Sequence, residues 1–418
     1  MISKLSSKQK QIFKFVNSKS NYLICDGAVR SGKTVIMSIA FIIWAMEYFE
    51  SCNFAICAKT VTNAERNVLK PLITSKELPY KMKYHRQERM LEVSMGTKVN
   101  RFYLFGGKDE SSYMLIQGIT LAGVLMDEVA LMPRSFVEQA MARTLTYANA
   151  KIWFNCNPSN QLHWFNQEWI IPTDKGEKNA THLHFLMTDN PILGEEEIKK
   201  TESMFSGVFF DRYILGLWCM AEGIIYDMFT NSSHVFNELP NTEGDYYVSS
   251  DFGIQNATVF LLWRKEKNTD RWICVNEYYY SGRENRVQKT VDSLVDGLVS
   301  ILPREKNYSG EDTIVMPRQV IVDPSASALI VELRKRGFHV IPAINDVLNG
   351  ISDVSTMLRQ DKLGFAKKCV NTINEFGLYS WDAKASQHGE DRPIKDNDHA
   401  MDAVRYFVET KHLVKKMR

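Results

Sequence analysis

One stretch of eight residues, Gly27-Ala28-Val29-Arg30-Ser31-Gly32-Lys33-Thr34, restricts the fold more than any other part of the chain. Its spacing is G-x-x-x-x-G-K-[ST], the pattern of a phosphate-binding loop. The flanking sequence suits such a loop. Asn21-Tyr22-Leu23-Ile24-Cys25 reads as a short buried strand leading in, and the apolar run 35–49 reads as a long helix leading out. In a strand–loop–helix unit of this kind, backbone N–H groups and the positive end of the helix dipole face an anion. The pattern implies a nucleoside triphosphate held with Mg²⁺. Gly27, Arg30, Ser31 and Gly32 would shape and line the loop, Lys33 would reach the β- and γ-phosphates, and Thr34 would hold the cation.

Repeated strand–helix units follow the loop. Candidate strands lie at 54–58, 122–126 and 151–155, with a hairpin-like pair at 90–93 and 100–105 around Gly96 and helices near 63–72 and 134–145. That order predicts a mainly parallel α/β sheet covered on both faces. Residues 172–240 are more helical and more charged and read as a helical lid and linker, giving expected domains at 1–171, 172–240 and 241–418. The last segment begins with strands 246–250, 258–263 and 271–280, joined by short connections into an antiparallel meander. A helix with Val287, Val291, Leu294, Val295 and Leu298 on one face comes next, and then a strand–helix–strand unit at 320–323, 326–336 and 338–341. This is the order of a ribonuclease H-like α/β domain.

Bulk composition excludes several classes. Of 418 residues, 44% are hydrophobic and 24% charged, as in an ordinary globular chain. The net charge of +2 supplies no global field for nucleic acid, so any DNA contact must be made by local basic patches. The candidates are Arg334-Lys335-Arg336, Lys367-Lys368 and the tail 411–418. The seven cysteines are scattered, with no C-x-x-C pair to suggest a zinc ribbon or a disulfide framework. Met1-Ile2-Ser3-Lys4 leads into a polar stretch rather than a signal peptide, and the apolar run at 35–46 is too short to span a bilayer. A reducing cytoplasm and no membrane partner are expected.

Two constellations carry the chemistry. Beside the loop, Asp127 and Glu128 end an apolar strand, where one carboxylate can serve the metal and the other can orient water; they could also simply cap the following helix. Arg30, inside the loop, can stabilise charge on the γ-phosphate, or pair with a nearby acid on the surface. Asn155 and Asn157 follow the next strand and can sense the γ-phosphate, although an Asx-turn before Pro158 is the alternative. Gln9 and Gln11 are candidates for reading the adenine edge. In the last domain Asp251 and Asp323 each end a strand, and His399 and Asp402 lie three apart on a helical face. Carboxylates meeting at strand ends can hold two Mg²⁺ or Mn²⁺ ions for phosphodiester cleavage.

Taken together, these motifs resemble the large subunit of a tailed-phage terminase, of the type found in PBSX-like prophages. The resemblance covers nearly the whole chain and is carried by residues 27–34, Leu125-Met126-Asp127-Glu128-Val129-Ala130, Asn155-Cys156-Asn157-Pro158, Ser250-Asp251-Phe252-Gly253, Val322-Asp323-Pro324 and Asp398-His399-Ala400-Met401-Asp402. It implies an ATP-driven motor that threads double-stranded viral DNA into a procapsid, coupled to a nuclease that cuts concatemeric DNA. It also implies a terminase small subunit and a portal protein as partners, a homo-oligomeric ring, and the bacterial host cytoplasm as the location. By the same resemblance Lys33, Thr34, Asp127 and Glu128 hydrolyse ATP, Arg30 is the arginine of the phosphate loop, and Asn155 or Asn157 is the coupling residue. Asp251, Asp323 and Asp402 become metal ligands, with His399 a possible fourth member. One departure is visible: Gln117 stands where several relatives carry an arginine that acts on a neighbour's ATP, which leaves Arg101, Arg134 and Arg143 as substitutes. The competing readings are a DNA-repair helicase-nuclease, which should show a second motor domain, and a nucleotide-gated assembly factor with an inactive nuclease domain.

Overall fold

The computed structural model describes residues 5–75, 78–205, 207–253, 256–306, 310–396 and 398–414. The N-terminal residues 1–4, the tail residues 415–418 and Asn397 of the acidic motif lie outside them. The chain forms two compact units. Unit 1 comprises residues 1–202, 208–220 and 387–390; unit 2 comprises 203–207, 221–386 and 391–418.

Unit 1 is built on eight strands: β1 (Tyr22–Gly27), β2 (Asn53–Ala58), β3 (Lys81–His85), β4 (Met90–Met95), β5 (Lys98–Gly106), β6 (Gly123–Asp127), β7 (Lys151–Asn155) and β8 (Ala180–Phe185). Their order in the sheet is β3-β4-β5-β2-β6-β7-β1-β8. The run from β5 to β8 is parallel, and β3 and β4 add an antiparallel edge through the hairpin turned at Gly96. The segment expected as lid and linker therefore contains a sheet strand, β8, which pairs along its full length with β1. The signal was weak because β8 lies at the sheet edge and carries Thr181, His182 and His184.

Helix α1 (Ser7–Val16) and the long helix α2 (Lys33–Tyr48) pack on one face. There Phe41 makes edge contacts with Phe54, Phe102 and Trp153. Gly123 lets α2 approach β6, since a Cβ at that position would lie 2.5 Å from the Trp44 ring. Helix α3 (Arg134–Ala142) covers the other face with Phe136 and Val137, beside Phe154, Phe165 and Trp169. Both faces are thus dry, which accounts for strands such as β6 and β7 being buried at every residue. Helix α4 (Glu195–Glu202) lies later in the unit.

Unit 2 holds β9 (Val235–Phe236), β10 (Thr242–Asp251), β11 (Ala257–Glu266), β12 (Trp272–Ser281), the short pair β13 (Arg304–Lys306) and β14 (Asp312–Ile314), β15 (Gln319–Val322), β16 (Val340–Pro342) and β17 (Leu363–Ala366). The main sheet runs β16-β15-β10-β11-β12-β17-β9. β10, β11 and β12 form the expected antiparallel meander, and β15 and β16 extend it in parallel beside β10. Helices α5 (Val291–Ile301) and α6 (Ser327–Lys335) share a core with Val248, Phe260 and Ile273. Val287, expected on the α5 face, precedes the helix and is exposed. Further on come α7 (Val347–Arg359), α8 (Val370–Phe376) and α9 (His399–Thr410). The ring of Phe407 on α9 stacks on Trp263 of β11, with centroids 4.4 Å apart and an interplanar angle of 1°. That contact fixes which face of α9 lies on the sheet. Because His399 and Asp402 share a helix with Phe407, it also fixes their height above the strand ends.

Candidate functional site

In unit 1, β1 ends in Gly27 and the chain turns through the loop into α2. Gly27 has φ +120°, and a Cβ there would stand 2.0 Å from the Phe185 carbonyl oxygen, so only glycine lets the loop leave the sheet beside β8. Gly32 adopts φ +82° at the start of α2, and Arg30 is left-handed as well, at φ +58°. Lys33 is buried, and its Nζ donates to the carbonyls of Gly27 (3.0 Å) and Ala28 (2.8 Å), to Ser31 Oγ (3.3 Å) and to Asn157 Oδ1 (3.2 Å). Burial lowers its pKa, and the nearby Glu128 carboxylate works against that drop.

Asp127 is the last residue of β6 and is buried. It accepts from Thr34 Oγ1 at 3.3 Å, Asn155 Nδ2 at 2.6 Å and Asn67 Nδ2 at 3.1 Å. Asn155 Nδ2 also lies 2.8 Å from Thr34 Oγ1, while its buried Oδ1 makes no hydrogen bond among the described residues. Asn157 Nδ2 donates to Glu128 Oε1 at 3.1 Å. The two asparagines do parallel jobs: Asn155 joins Thr34 to Asp127, and Asn157 joins Lys33 to Glu128. Glu128 adopts a left-handed backbone, φ +59°, a strained conformation of the kind that concentrates at functional positions. Burial, and then repulsion from Asp127, pushes its carboxyl up to about 7, and burial raises Asp127 too.

The remaining expected residues of this site divide. Arg30 NH1 donates to Thr201 of α4 at 3.1 Å, and its carbonyl accepts from Asn190 Nδ2 at 2.7 Å. Gln9 is buried, its Oε1 taken by the Ser6 amide and its Nε2 placed 3.5 Å from the Ser31 carbonyl. Gln117 closes a short 3₁₀ turn. Of its expected substitutes, Arg134 is already shared between Glu138 and Glu168, each at 2.7 Å. Asn67, which meets Asp127, and Asn190 and Thr201, which meet Arg30, escaped the sequence reading because they sit outside any motif and reach the site only through the fold.

In unit 2, Asp251 ends β10 and Asp323 follows β15, its neighbour in the sheet. His399 Nδ1 lies 2.8 Å from Asp251 Oδ2. Asp402 accepts from Arg405 NH2 at 2.6 Å and lies 3.5 Å from Lys395 Nζ, which also reaches Asp398 at 3.3 Å. Asp323 accepts from Tyr406 Oη at 3.1 Å, Asn345 Nδ2 at 3.3 Å and the Ser325 amide at 2.7 Å. Burial raises the pKa of Asp251, and repulsion from Asp402 adds to it; Asp398 is raised for the same two reasons. Asp323 is half-exposed, and its hydrogen bonds outweigh the penalty of burial, so its pKa is lowered. The start of α9 is held by Glu375 of α8, whose Oε2 accepts from the amides of Ala400 (2.7 Å) and Met401 (3.2 Å). Burial pushes that carboxyl up to about 7.

The donor chemistry here, hard oxygens with one imidazole, suits Mg²⁺ or Mn²⁺. Acids close enough to raise one another form a negative cluster that a cation would relieve. Each expected ligand is nonetheless bound to a separate protein donor, and among the described residues no group of three His, Cys, Asp or Glu side chains is gathered to hold a metal ion. Lys395, Arg405, Tyr406, Asn345 and Glu375 were not found in the sequence. Only the i,i+3 and i,i+4 spacings from Asp402 to Arg405 and Tyr406 hinted at two of them.

The two units define the class: a phosphate-loop ATPase fold followed by a ribonuclease H-like nuclease fold. Comparisons narrow it. The family described as "Terminase large subunit, T4likevirus-type, N-terminal" matches residues 24–233. The large terminase of a thermophilic bacteriophage is 44% identical, with a TM-score of 0.90 over 97% of this chain and 99% of that one. The same thermophilic-phage protein in complex with ADP gives 43% identity and a TM-score of 0.88 over the same shares. The terminase large subunit of Escherichia phage T5 is 22% identical over 277 residues, 63% of this chain and 59% of that protein, so the match spans less than two thirds of that relative. This chain belongs to the terminase large subunit family, the DNA-packaging subunits of tailed phages.

Proposed function

We propose that the chain hydrolyses ATP in unit 1 to drive double-stranded viral DNA into a procapsid, and cuts concatemeric DNA in unit 2. The observation that carries the first half is the pair of asparagine bridges, which tie Lys33 and Thr34, at the end of the phosphate loop, to the two consecutive acids at the end of β6, Asp127 and Glu128. Family membership, and structures of the thermophilic-phage terminase with ADP and with ATP-γ-S, support ATP as the nucleotide. In this reading Lys33 stabilises the β- and γ-phosphate oxygens, and a buried ammonium whose pKa has been lowered gains most from an arriving anion. Mg²⁺ held by Thr34 and Asp127 would neutralise phosphate charge. Glu128, with a carboxyl near neutrality, takes the proton of the attacking water, since a base works best when its pKa lies near the working pH. Asn157 contacts both Lys33 and Glu128 and is placed to pass on whether the γ-phosphate is present. Arg30 would exchange Thr201 for the γ-phosphate.

In unit 2, Asp251, Asp323 and Asp402 would hold two divalent ions, which would supply an activated water and stabilise the leaving oxygen. His399, bonded to Asp251, can hold a proton at Nδ1, and Arg405 fixes the Asp402 carboxylate. Contacts to DNA are phosphate-directed, as a translocase must tolerate any sequence. Of the expected basic patches, Arg336 is committed to Asp292, Asp296 and Glu332, and Lys335 also pairs with Glu332, which makes Arg334 the better contact there. A small subunit, a portal protein and a ring of copies complete the working assembly. Purified chain incubated with plasmid DNA, Mn²⁺ and ATP tests this: endonucleolytic nicking without strand displacement is expected, whereas processive unwinding would favour the helicase-nuclease alternative.

A further inference from the structure

Asp26 immediately precedes the phosphate loop and takes no part in the chemistry described for it. It is 1% exposed, yet its carboxylate is fully engaged. Oδ1 accepts from His182 Nε2 and His184 Nδ1 on β8, both at 2.9 Å, and Oδ2 accepts from Trp218 Nε1 at 2.7 Å. The other nitrogen of His182, Nδ1, lies 2.7 Å from Asp174 Oδ1. With carboxylates at both nitrogens, His182 donates twice and is an imidazolium.

The same elements hold the beginning of the loop. The Ala28 amide donates to the carbonyl of Phe185, the residue after His184, at 2.7 Å, and the Val29 amide donates to the Tyr213 carbonyl at 2.8 Å. Gly216 closes against them: a Cβ there would stand 2.9 Å from the His184 ring and 3.4 Å from the Ala28 nitrogen. The Ala28 and Val29 amides are therefore spent on the carbonyls of Phe185 and Tyr213 rather than on phosphate.

A buried charge is an expensive way to fasten a strand end, because a neutral group would cost less to bury. A carboxylate behind an anion-binding loop also repels its ligand, and the His182 imidazolium offsets this. The geometry points to Asp26 as a positioning residue for the nucleotide: held by His182 and Trp218, it sets the angle at which the loop leaves β1, so that the remaining amides meet the phosphates. This inference rests on the reading of the loop as an ATP site.

Binding of ADP and ATP-γ-S with Mg²⁺, and steady-state ATP hydrolysis, should be measured on the full chain. Trp218→Phe keeps an aromatic ring, though a smaller one, and deletes one donor to a charged acceptor; it is expected to raise the nucleotide Kd and the KM for ATP by about three- to tenfold, more than it lowers kcat. Asp26→Asn is expected to exceed tenfold, roughly the loss of a charge-assisted hydrogen-bond set. Mn²⁺-dependent DNA cleavage by both variants should match wild type. If both bind nucleotide as the wild type does and only melt at lower temperature, Asp26 is structural and the inference fails. Should Asp26→Asn not fold, Trp218→Phe decides alone. A wild-type chain that binds neither nucleotide would overturn the ATP-site reading, and this inference with it.

Discussion

The two sites hold their carboxylates in opposite ways. In unit 1, Asp127 is surrounded by neutral donors, namely a hydroxyl from Thr34 and amides from Asn67 and Asn155. In unit 2, protein cations hold Asp402, with Lys395 between it and Asp398 and Arg405 on its other side, while Asp251 is bonded to the His399 imidazole and Asp323 keeps neutral donors. The difference teaches how each site is tuned. Neutral donors orient a carboxylate and leave its charge for a cation to use. Cationic donors spend that charge, so ligands arriving in unit 2 must compete with the protein's own side chains. The first site is set by geometry, the second by a balance of charge.

Breaking the comparison at its strongest point means removing an acid of unit 2. Asp251→Ala and Asp323→Ala are each expected to abolish plasmid cleavage while the unit remains folded by circular dichroism. Next in size, Lys33→Ala should lower kcat for ATP hydrolysis by about 10²–10³-fold, the scale seen when one preorganised donor to developing charge is removed. Phe407→Ala would test whether unit 2 depends on how α9 is seated. Loss of a fully buried ring stacked on Trp263 should cost about 3–5 kcal/mol in denaturant titration, and cleavage should fall with it.

A smaller effect concerns pH. Burial works against the charge of His182, but its bonds to Asp26 and Asp174 outweigh that and raise its pKa to about 9. Its contribution to stability is complete below the ordinary histidine value of 6.5 and is lost as pH rises through about 9. The pKa of Asp26 is lowered because the bonds from His182 and His184 outweigh burial, so its contribution is present above 3.8 and goes only in strong acid. The groups facing His182 are Asp26 and Asp174, with His184 and Trp218 on the same carboxylate. The melting temperature of the wild type should therefore fall between pH 6.5 and 9 by more than that of His182→Gln.

Much of unit 1 was legible because its chemistry lies in contiguous motifs and at strand ends. Residues 27–34 announced the loop, and β6 and β7 stood out as unbroken apolar runs ending in Asp127 and Asn155. The meander of unit 2 was legible from its short turns. What stayed hidden depends on distance in sequence. Asn67 meets Asp127 across 60 positions, and Asp26 meets Trp218 across 192. No local pattern marks such pairs. β8 was hidden for a different reason: its polar residues Thr181, His182 and His184 broke the apolar signal that identifies a buried strand, and those two histidines serve Asp26.

The most direct test of two independent phosphate chemistries in one chain is a crossed assay on a single set of preparations, with ATP hydrolysis and Mn²⁺-dependent plasmid cleavage measured for wild type, Lys33→Ala and Asp323→Ala. The account predicts that Lys33→Ala loses only hydrolysis and Asp323→Ala loses only cleavage. If Asp323→Ala cut DNA at the wild-type rate, or Lys33→Ala hydrolysed ATP at the wild-type rate, the assignment of that chemistry to its unit would be contradicted.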